Sequence, residues 1–155
     1  MFKNIKNLFP VFEKNPNLVF LDTAASALKP KEMIDATNNC YSYEYANVHR
    51  GLYSLSSNLT KNFEDVRIQV SDFISANSEE NIIFTKSATE GINLVVDKFS
   101  EKYLSKGDEV LISYLEHHAN IVPWHIAAKK YKFKIVPIKL NEIGEIDYND
   151  FNDKI

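Results

Sequence analysis

Two short polar segments carry the side chains of this sequence that are best suited to chemistry. Residues 86–91 read Lys-Ser-Ala-Thr-Glu-Gly, and residues 114–120 contain Glu116 followed by His117 and His118. Hydroxyl and backbone N–H groups in the first segment favour binding of a phosphate. Imidazole groups in the second can transfer protons near neutral pH. The two segments together indicate a phosphate-bearing ligand and a reaction that moves protons.

The first segment lies between a predicted strand and a predicted helix. The helix start presents unpaired N–H groups and the positive end of the helix dipole, and Thr89 adds a hydroxyl donor. Ser87 and Glu90 also have the spacing of a capping box, so a purely structural role for these two residues stays open. The glycine patterns of nucleotide-binding loops are absent from the sequence, which makes a nucleotide a disfavoured ligand.

The second segment resembles a metal site only at first sight. His117 and His118 are adjacent, whereas helical metal ligands are three or four residues apart, so zinc is disfavoured. For His118 a hydrogen-bonded core histidine remains an alternative. His117 is the candidate for stacking on an aromatic ligand and for moving a proton.

Short apolar runs alternate with helical patterns from residue 81 onward. Such alternation predicts an α/β fold with βαβ units and a parallel sheet flanked by helices. Ligands of these sheets bind beyond the carboxyl ends of the strands, where both polar segments are expected. The predicted strands are 82–85, 109–113 and 133–138, and the predicted helices are 88–99 and 122–130.

The first part of the chain shows weaker periodicity. We expect a strand or extended segment at 18–21, a helix that opens at Pro30, a loop at 46–51 and a long helix after it. Cys40 is predicted to lie in the core. The apolar faces of the two helices consist of Met33, Ile34, Thr37, Cys40 and Tyr41, and of Leu59, Phe63, Val66, Val70 and Phe73.

Composition narrows the function classes. The chain has 155 residues, 18 basic and 21 acidic, with a net charge of −3, and no more than two basic residues are adjacent. Nucleic-acid binding is therefore disfavoured. The sequence has no apolar run of the roughly 20 residues that a membrane span needs and no secretory h-region, which predicts a soluble cytoplasmic protein. Cys40 is the single cysteine, so we expect no intrachain disulfide.

Four segments in unbroken order carry a family resemblance. They are residues 21–26 (LDTAAS), 47–51 (NVHRG), 83–94 (IFTKSATEGINL) and 116–124 (EHHANIVPW). Together they resemble the SufS-type cysteine desulfurases, which belong to the class V aminotransferase group of enzymes that use pyridoxal 5′-phosphate. The likeness extends from about Leu21 to Asp147.

The resemblance implies the N-terminal part of a fold type I large domain, with a mixed, mostly parallel sheet and flanking helices. It implies that residues 1–50 form an N-terminal segment with a small-domain or active-site arm. Residues 51–155 are expected to form an incomplete cofactor-binding domain. A homodimer is the assembly implied.

The resemblance also implies roles for single residues. His117 would stack over the cofactor ring and assist proton transfer. Thr89 and the backbone at Ala88 would hold the cofactor phosphate, and no metal is implied. Where many relatives have glycine and threonine, this chain has Ser87 and Ala88, which removes one side-chain donor near the phosphate. Residues near the substrate pocket would be Ala24, His49 and Arg50.

The implied reaction converts L-cysteine to L-alanine and passes sulfur through an enzyme persulfide to an acceptor protein of iron–sulfur cluster assembly. The Schiff-base lysine, the aspartate facing the pyridine nitrogen and the persulfide cysteine are expected in sequence after Ile155. Residues 147–155 predict the opening of a helix without a cap. The expectation is therefore an N-terminal fragment that is inactive alone. Alternatives are selenocysteine lyase, another class V enzyme, or a non-catalytic fragment that dimerises or binds phosphate.

Overall fold

A computed structural model describes residues 5–155 and divides the chain into two units, with the boundary after Ile82. The first unit is helical. Its α-helices are α1 (Val11–Lys14), α2 (Lys31–Asn39) and α3 (Ser54–Phe73). Its other helical segments are 3₁₀ turns at Ile5–Leu8 and Glu79–Asn81 and a π-helix at Cys40–Glu44.

The second unit, Ile83–Ile155, contains both strands of the described residues. Its α-helices are α4 (Ala88–Tyr103), α5 (Val122–Tyr131) and α6 (Tyr148–Asn152). Its strands are β1 (Glu109–Ser113) and β2 (Lys134–Ile138), and a 3₁₀ turn spans His118–Asn120. The order β1, α5, β2 is the βαβ unit that the sequence predicts.

β1 and β2 form a parallel pair. The register pairs Glu109 with Lys134 and Ser113 with Ile138, so the two strands match over their full length. Glu109 and Lys134 also form an ion pair at the exposed start of the sheet, with 3.6 Å between Nζ and Oε1. Because Pro137 in β2 lacks an N–H donor, β2 suits an edge position. The predicted parallel arrangement and both strand positions are confirmed to within one residue.

The core of the second unit lies between α4, α5 and the strands. Val96 of α4, Ala127 of α5 and Phe133 before β2 are between 2% and 6% exposed and form one cluster. Trp124 packs against this cluster, with its ring edge-on to Phe133 at 6.4 Å. The cluster fixes α4 and α5 against each other, and both helices start next to the polar segments identified above.

α6 and the residues after it are hydrogen-bonded to the end of β2 and to the residue that follows β2. The Asp147 side chain accepts hydrogen bonds from the N–H groups of Asn149 and Asp150 and so caps the start of this helix, whose opening the sequence predicts. Asp150 Oδ2 accepts from Lys154 Nζ at 2.5 Å and from the Lys139 N–H at 2.9 Å. The hydrogen bond from Lys154, then that from Lys139, lowers the pKa of Asp150 below its usual value.

Two predicted strands are not observed. Residues 82–85 belong to neither strand of the described residues, and Ile82 is buried whereas Ile83 and Phe84 are exposed. Residues 18–21 likewise do not form a strand, and Leu21 is 89% exposed. A strand requires a ladder of backbone hydrogen bonds to a neighbouring strand, and the two strands of the described residues, β1 and β2, pair with each other.

The predicted helices are observed, but their apolar faces are only partly covered. On α3, Phe63 and Val66 are about half exposed and Phe73 is 89% exposed. Cys40 is partly exposed, so the prediction of a core position is wrong. The chain widens into the π-helix at this residue, and Cys40 lines an apolar cavity of about 850 Å³ instead of a filled core. Each helix that the structure describes is too short or too polar to cross a membrane.

Val96→Ala is expected to lower the free energy of unfolding by about 2 kcal/mol, because it removes two buried methyl groups and leaves a cavity. Val95→Ala is the matched control on the same helix, since Val95 is 58% exposed. The control should change the free energy by less than about 0.5 kcal/mol. Urea unfolding followed by circular dichroism measures both, and equal losses would contradict the position of Val96 in the core.

Asp150→Asn should make the stability of the fold less dependent on pH in the acidic range. A carboxylate with a lowered pKa in the folded state contributes stability above its unfolded pKa of about 4, and this contribution disappears as the pH falls through the folded pKa. The destabilisation caused by Asp150→Asn should therefore be largest near pH 6 and shrink towards pH 2. Thermal unfolding across this pH range measures it. Asp153→Asn, an exposed neighbour, is the control, and a pH-independent effect of Asp150→Asn would refute the linkage.

Candidate active site

The start of α4 is closed by Ser87 and Glu90. The Glu90 N–H donates to Ser87 Oγ at 3.2 Å, as the capping-box spacing predicts. The return contact differs from the prediction, because Glu90 Oε2 accepts from the N–H of Lys86 at 2.5 Å and not from that of Ser87. The carboxylate therefore closes the turn one residue earlier than expected.

Ala88 and Thr89 are the first two residues of α4. Their N–H groups have no acceptor within the helix, since the first N–H groups of any α-helix precede its first turn. Both residues are exposed. Ser87 uses its side chain on the N–H of Glu90, so capping and anion binding involve different donors. The structural and functional interpretations of this segment are therefore compatible.

His117 follows the turn after β1 and precedes the 3₁₀ segment. Its backbone is extended and its Nδ1 accepts a hydrogen bond from the N–H of Ala119 at 3.1 Å. The imidazole is exposed, as stacking on a ligand requires. His118 is exposed as well, with its ring edge-on to that of His117 at 6.2 Å, so the alternative of a core histidine is wrong.

A chain of hydrogen bonds connects the residues that precede His117 with those that follow it. Ser113 Oγ donates to Glu116 Oε1 at 3.0 Å, Asn120 Nδ2 donates to Glu116 Oε2 at 2.8 Å, and Trp124 Nε1 donates to Asn120 Oδ1 at 3.0 Å. No motif considered above assigned a role to Ser113, Asn120 or Trp124. The steps of three, four and four residues from Ser113 through Glu116 and Asn120 to Trp124 are the signal that could have indicated the contacts.

The two polar segments lie next to each other. α4 packs against the 3₁₀ segment, and a cavity of about 330 Å³ is lined by Ala88 and Gly91 of α4 and by Asn120 and Trp124. The structure therefore brings the expected phosphate site and the turn that carries His117 to one side of the second unit. Among residues 5–155, no group of His, Cys, Asp or Glu has an arrangement that could hold a metal ion.

The loop at 47–51 in the first unit contacts three polar residues on one face of α3. Ser56 Oγ donates to the Asn47 carbonyl at 2.5 Å, and Thr60 Oγ1 accepts from the His49 N–H at 2.9 Å. Glu64 Oε1 lies 3.4 Å from His49 Nε2. His49 has a φ of 70°, a left-handed conformation that is uncommon for a residue other than glycine.

The remaining expected substrate residues also lie in the first unit. Arg50 is exposed beside His49 in the same loop. Ala24 is exposed in a turn closed by a hydrogen bond from the Ala25 N–H to the Asp22 carbonyl. These residues and His49 belong to the first unit, whereas Ala88, Thr89 and His117 belong to the second.

Residues 19–155 match the family model of the class-V aminotransferases. The chain belongs to this family. A cysteine desulfurase of Wigglesworthia glossinidia brevipalpis is 42% identical over 156 residues, which cover 99% of this chain and 38% of that protein. The cysteine desulfurase SufS of Plasmodium falciparum is 40% identical over 94% of this chain and 27% of that protein.

A solved structure of the same class has the same fold. The apo structure of a cysteine desulfurase from Thermococcus onnurineus NA1 superposes with a TM-score of 0.89 at 31% identity, covering 99% of this chain and 37% of that one. The resemblance to SufS-type enzymes and the expected α/β fold are confirmed. The class-V family also supports pyridoxal 5′-phosphate as the cofactor. This class-V chain spans less than two fifths of the length of these relatives.

Gly51→Ala should destabilise the His49 loop. An added Cβ would lie 2.2 Å from Ser56 Oγ and 2.4 Å from Ser56 Cβ, and Ser56 is only 1% exposed. Overpacking of this kind costs about 1–3 kcal/mol. Gly91→Ala is the matched control, because its nearest contact would be an ordinary 3.5 Å and alanine favours a helix by about 0.5–1 kcal/mol. Chemical unfolding should give opposite signs, and the same sign would contradict the packing described.

Proposed function

We propose that this chain supplies the N-terminal part of a cysteine desulfurase that depends on pyridoxal 5′-phosphate. The enzyme would convert L-cysteine to L-alanine and pass the sulfur through an enzyme persulfide towards iron–sulfur cluster assembly. The observation that carries the proposal is the exposed, hydrogen-bonded His117 on the same side of the unit as the open start of α4, within a class-V chain.

The donor set at α4 fits the phosphate of this cofactor. The N–H groups of Ala88 and Thr89 and the Thr89 hydroxyl would hold it, and the positive end of the helix dipole favours a dianion there. His117, exposed on the neighbouring turn, would stack on the pyridine ring. When bound, the cofactor supplies an electron sink that stabilises negative charge at the substrate carbon.

The residues of this chain contribute orientation and proton transfer. His117 is the proposed acid and base, because an imidazole can gain and lose a proton near neutral pH. Ala24, His49 and Arg50 are proposed to contact the substrate. Thr60 holds the backbone N–H of His49, and Glu64 beside Nε2 would keep the imidazole in one orientation, which lowers the entropy that substrate binding has to overcome.

The assembly of the whole protein also remains a proposal. The names of the relatives support L-cysteine as substrate and a sulfur-acceptor protein as partner. A homodimer in the cytoplasm is the arrangement that we propose from the resemblance. The Schiff-base lysine and the persulfide cysteine are proposed to lie in sequence beyond Ile155.

His117→Ala in the full-length protein should lower the turnover of L-cysteine to L-alanine by about 10²–10⁴-fold, since general acid–base catalysis contributes on this scale. His118→Ala is the matched control and should stay within about twofold of the wild type, because His118 is given no catalytic role. Alanine production measured by chromatography tests both. Turnover of His117→Ala near that of the wild type would refute the assignment, and the 155-residue chain assayed alone should form no alanine.

A further inference from the structure

The contacts of His117 distinguish its two ring nitrogens. Nδ1 accepts a hydrogen bond from the Ala119 N–H at 3.1 Å, which requires a lone pair on that atom. The neutral ring therefore carries its proton on Nε2. The His117 carbonyl also accepts from the Asn120 N–H at 2.7 Å, so both the ring and the backbone of this residue are fixed by the segment that follows it.

A 3₁₀ segment of three residues has little stability of its own. Here it is held at both ends by side chains. Glu116 links it to Ser113 of β1, which is 8% exposed, and Asn120 links it to Trp124 of α5. Trp124 in turn packs against the buried Phe133.

The donors and acceptors fix the orientation of Asn120. Indole Nε1 can only donate, and an ionised carboxylate can only accept. The Asn120 carbonyl must therefore face Trp124, and its amide NH₂ must face Glu116. Donation runs from Trp124 through Asn120 to Glu116, and Glu116 also accepts from Ser113. These contacts hold Asn120, whose backbone N–H donates to the His117 carbonyl.

We propose that Glu116 and Asn120 are positioning residues that hold His117 with its proton on Nε2, so that Nε2 is the atom through which His117 transfers protons. The catalytic part of this inference rests on the proposed function. The structural part does not, because the contacts lie within the second unit and involve no ligand.

The tautomer is measured directly by two-bond ¹H–¹⁵N correlation spectra of the full-length protein labelled with ¹⁵N-histidine, without added cofactor and at a pH where His117 is neutral. His117→Ala identifies its signals. The wild type should show a proton on Nε2 alone. Asn120→Leu, which has a similar size but removes both side-chain hydrogen bonds, should show a mixture of the two tautomers. A proton on Nδ1 in the wild type, or an unchanged tautomer in Asn120→Leu, would overturn the proposal.

Glu116→Gln is the conservative control. Glutamine keeps an oxygen for Asn120 Nδ2 and can turn its NH₂ towards Ser113 Oγ, so the Nε2–H tautomer should persist. Glu116→Ala removes both contacts and should resemble Asn120→Leu. A Glu116→Gln variant with mixed tautomers would contradict the geometric role. Should Asn120→Leu fail to fold, Trp124→Phe tests the same point, because it removes only the indole donor.

Kinetics of the holoenzyme separate the two parts of the inference. Asn120→Leu should lower kcat about 10- to 100-fold, as misplacement of a catalytic group does, while KM stays within about threefold. A 10- to 100-fold rise in KM with an unchanged kcat would count against a positioning role. If the wild-type holoenzyme formed no alanine from L-cysteine, the proposed function would fail, whereas the spectra would still decide whether Glu116 and Asn120 hold His117.

Discussion

The packing of Val96 and Ala127 around Phe133 is the constraint on which the candidate site depends. This apolar cluster fixes α4 against α5, and the functional segments are attached to the starts of these two helices. α4 begins at Ala88, directly at the expected phosphate site, and α5 begins at Val122, two residues after the 3₁₀ segment ends. Burial of apolar surface, which has no direction of its own, thus brings two polar turns together.

Hydrogen bonds then give the site the precision that apolar packing does not. Glu116 and Asn120 connect β1 to α5 through a continuous chain of hydrogen bonds, and the partly buried surroundings make each of these contacts stronger than it would be in water. The same logic operates in the first unit. Ser56, Thr60 and Glu64 are spaced four residues apart on α3, so all three reach the His49 loop from one face of the helix.

Much of the second unit could be predicted from the sequence because its signals are local. The apolar runs at 109–113 and 133–138 and the helical periods between them depend on neighbouring residues, and the structure has these elements within a few residues. The run at 82–85 is also apolar but forms no strand, since strand pairing depends on a neighbouring strand that local composition does not reveal. Apolar character predicted the wrong environment for Cys40 for the same reason.

The contacts of the site were predicted less well than its location. The two polar segments lie at the end of β1 and at the start of α4, as predicted, although residues 82–85 do not form the strand expected before the first of them. The hydrogen bonds that connect Ser113 to Trp124 were not predicted, because they cross from a strand through a turn into a helix and no single sequence period describes them. The contacts of the polar face of α3 with the His49 loop were not predicted, because the apolar period dominates the sequence of that helix. In the structure, however, the apolar residues Phe63 and Phe73 are more exposed than Ser56.

The same geometry explains how Ser87 and Ala88 serve at positions where many relatives have glycine and threonine. Ser87 serves as the cap and so leaves the N–H groups of Ala88 and Thr89 for an anion, whereas the side chain at position 88 offers no donor. A helix terminus alone contributes about 0.3–1 kcal/mol when exposed and about 2 kcal/mol when partly buried. That is far below the roughly 8 kcal/mol of micromolar binding. A ligand held here must therefore be bound mainly by other contacts, among which we propose the Thr89 hydroxyl and stacking on His117. The orientation that Glu116 and Asn120 are proposed to give to His117 would then matter for binding as well as for proton transfer.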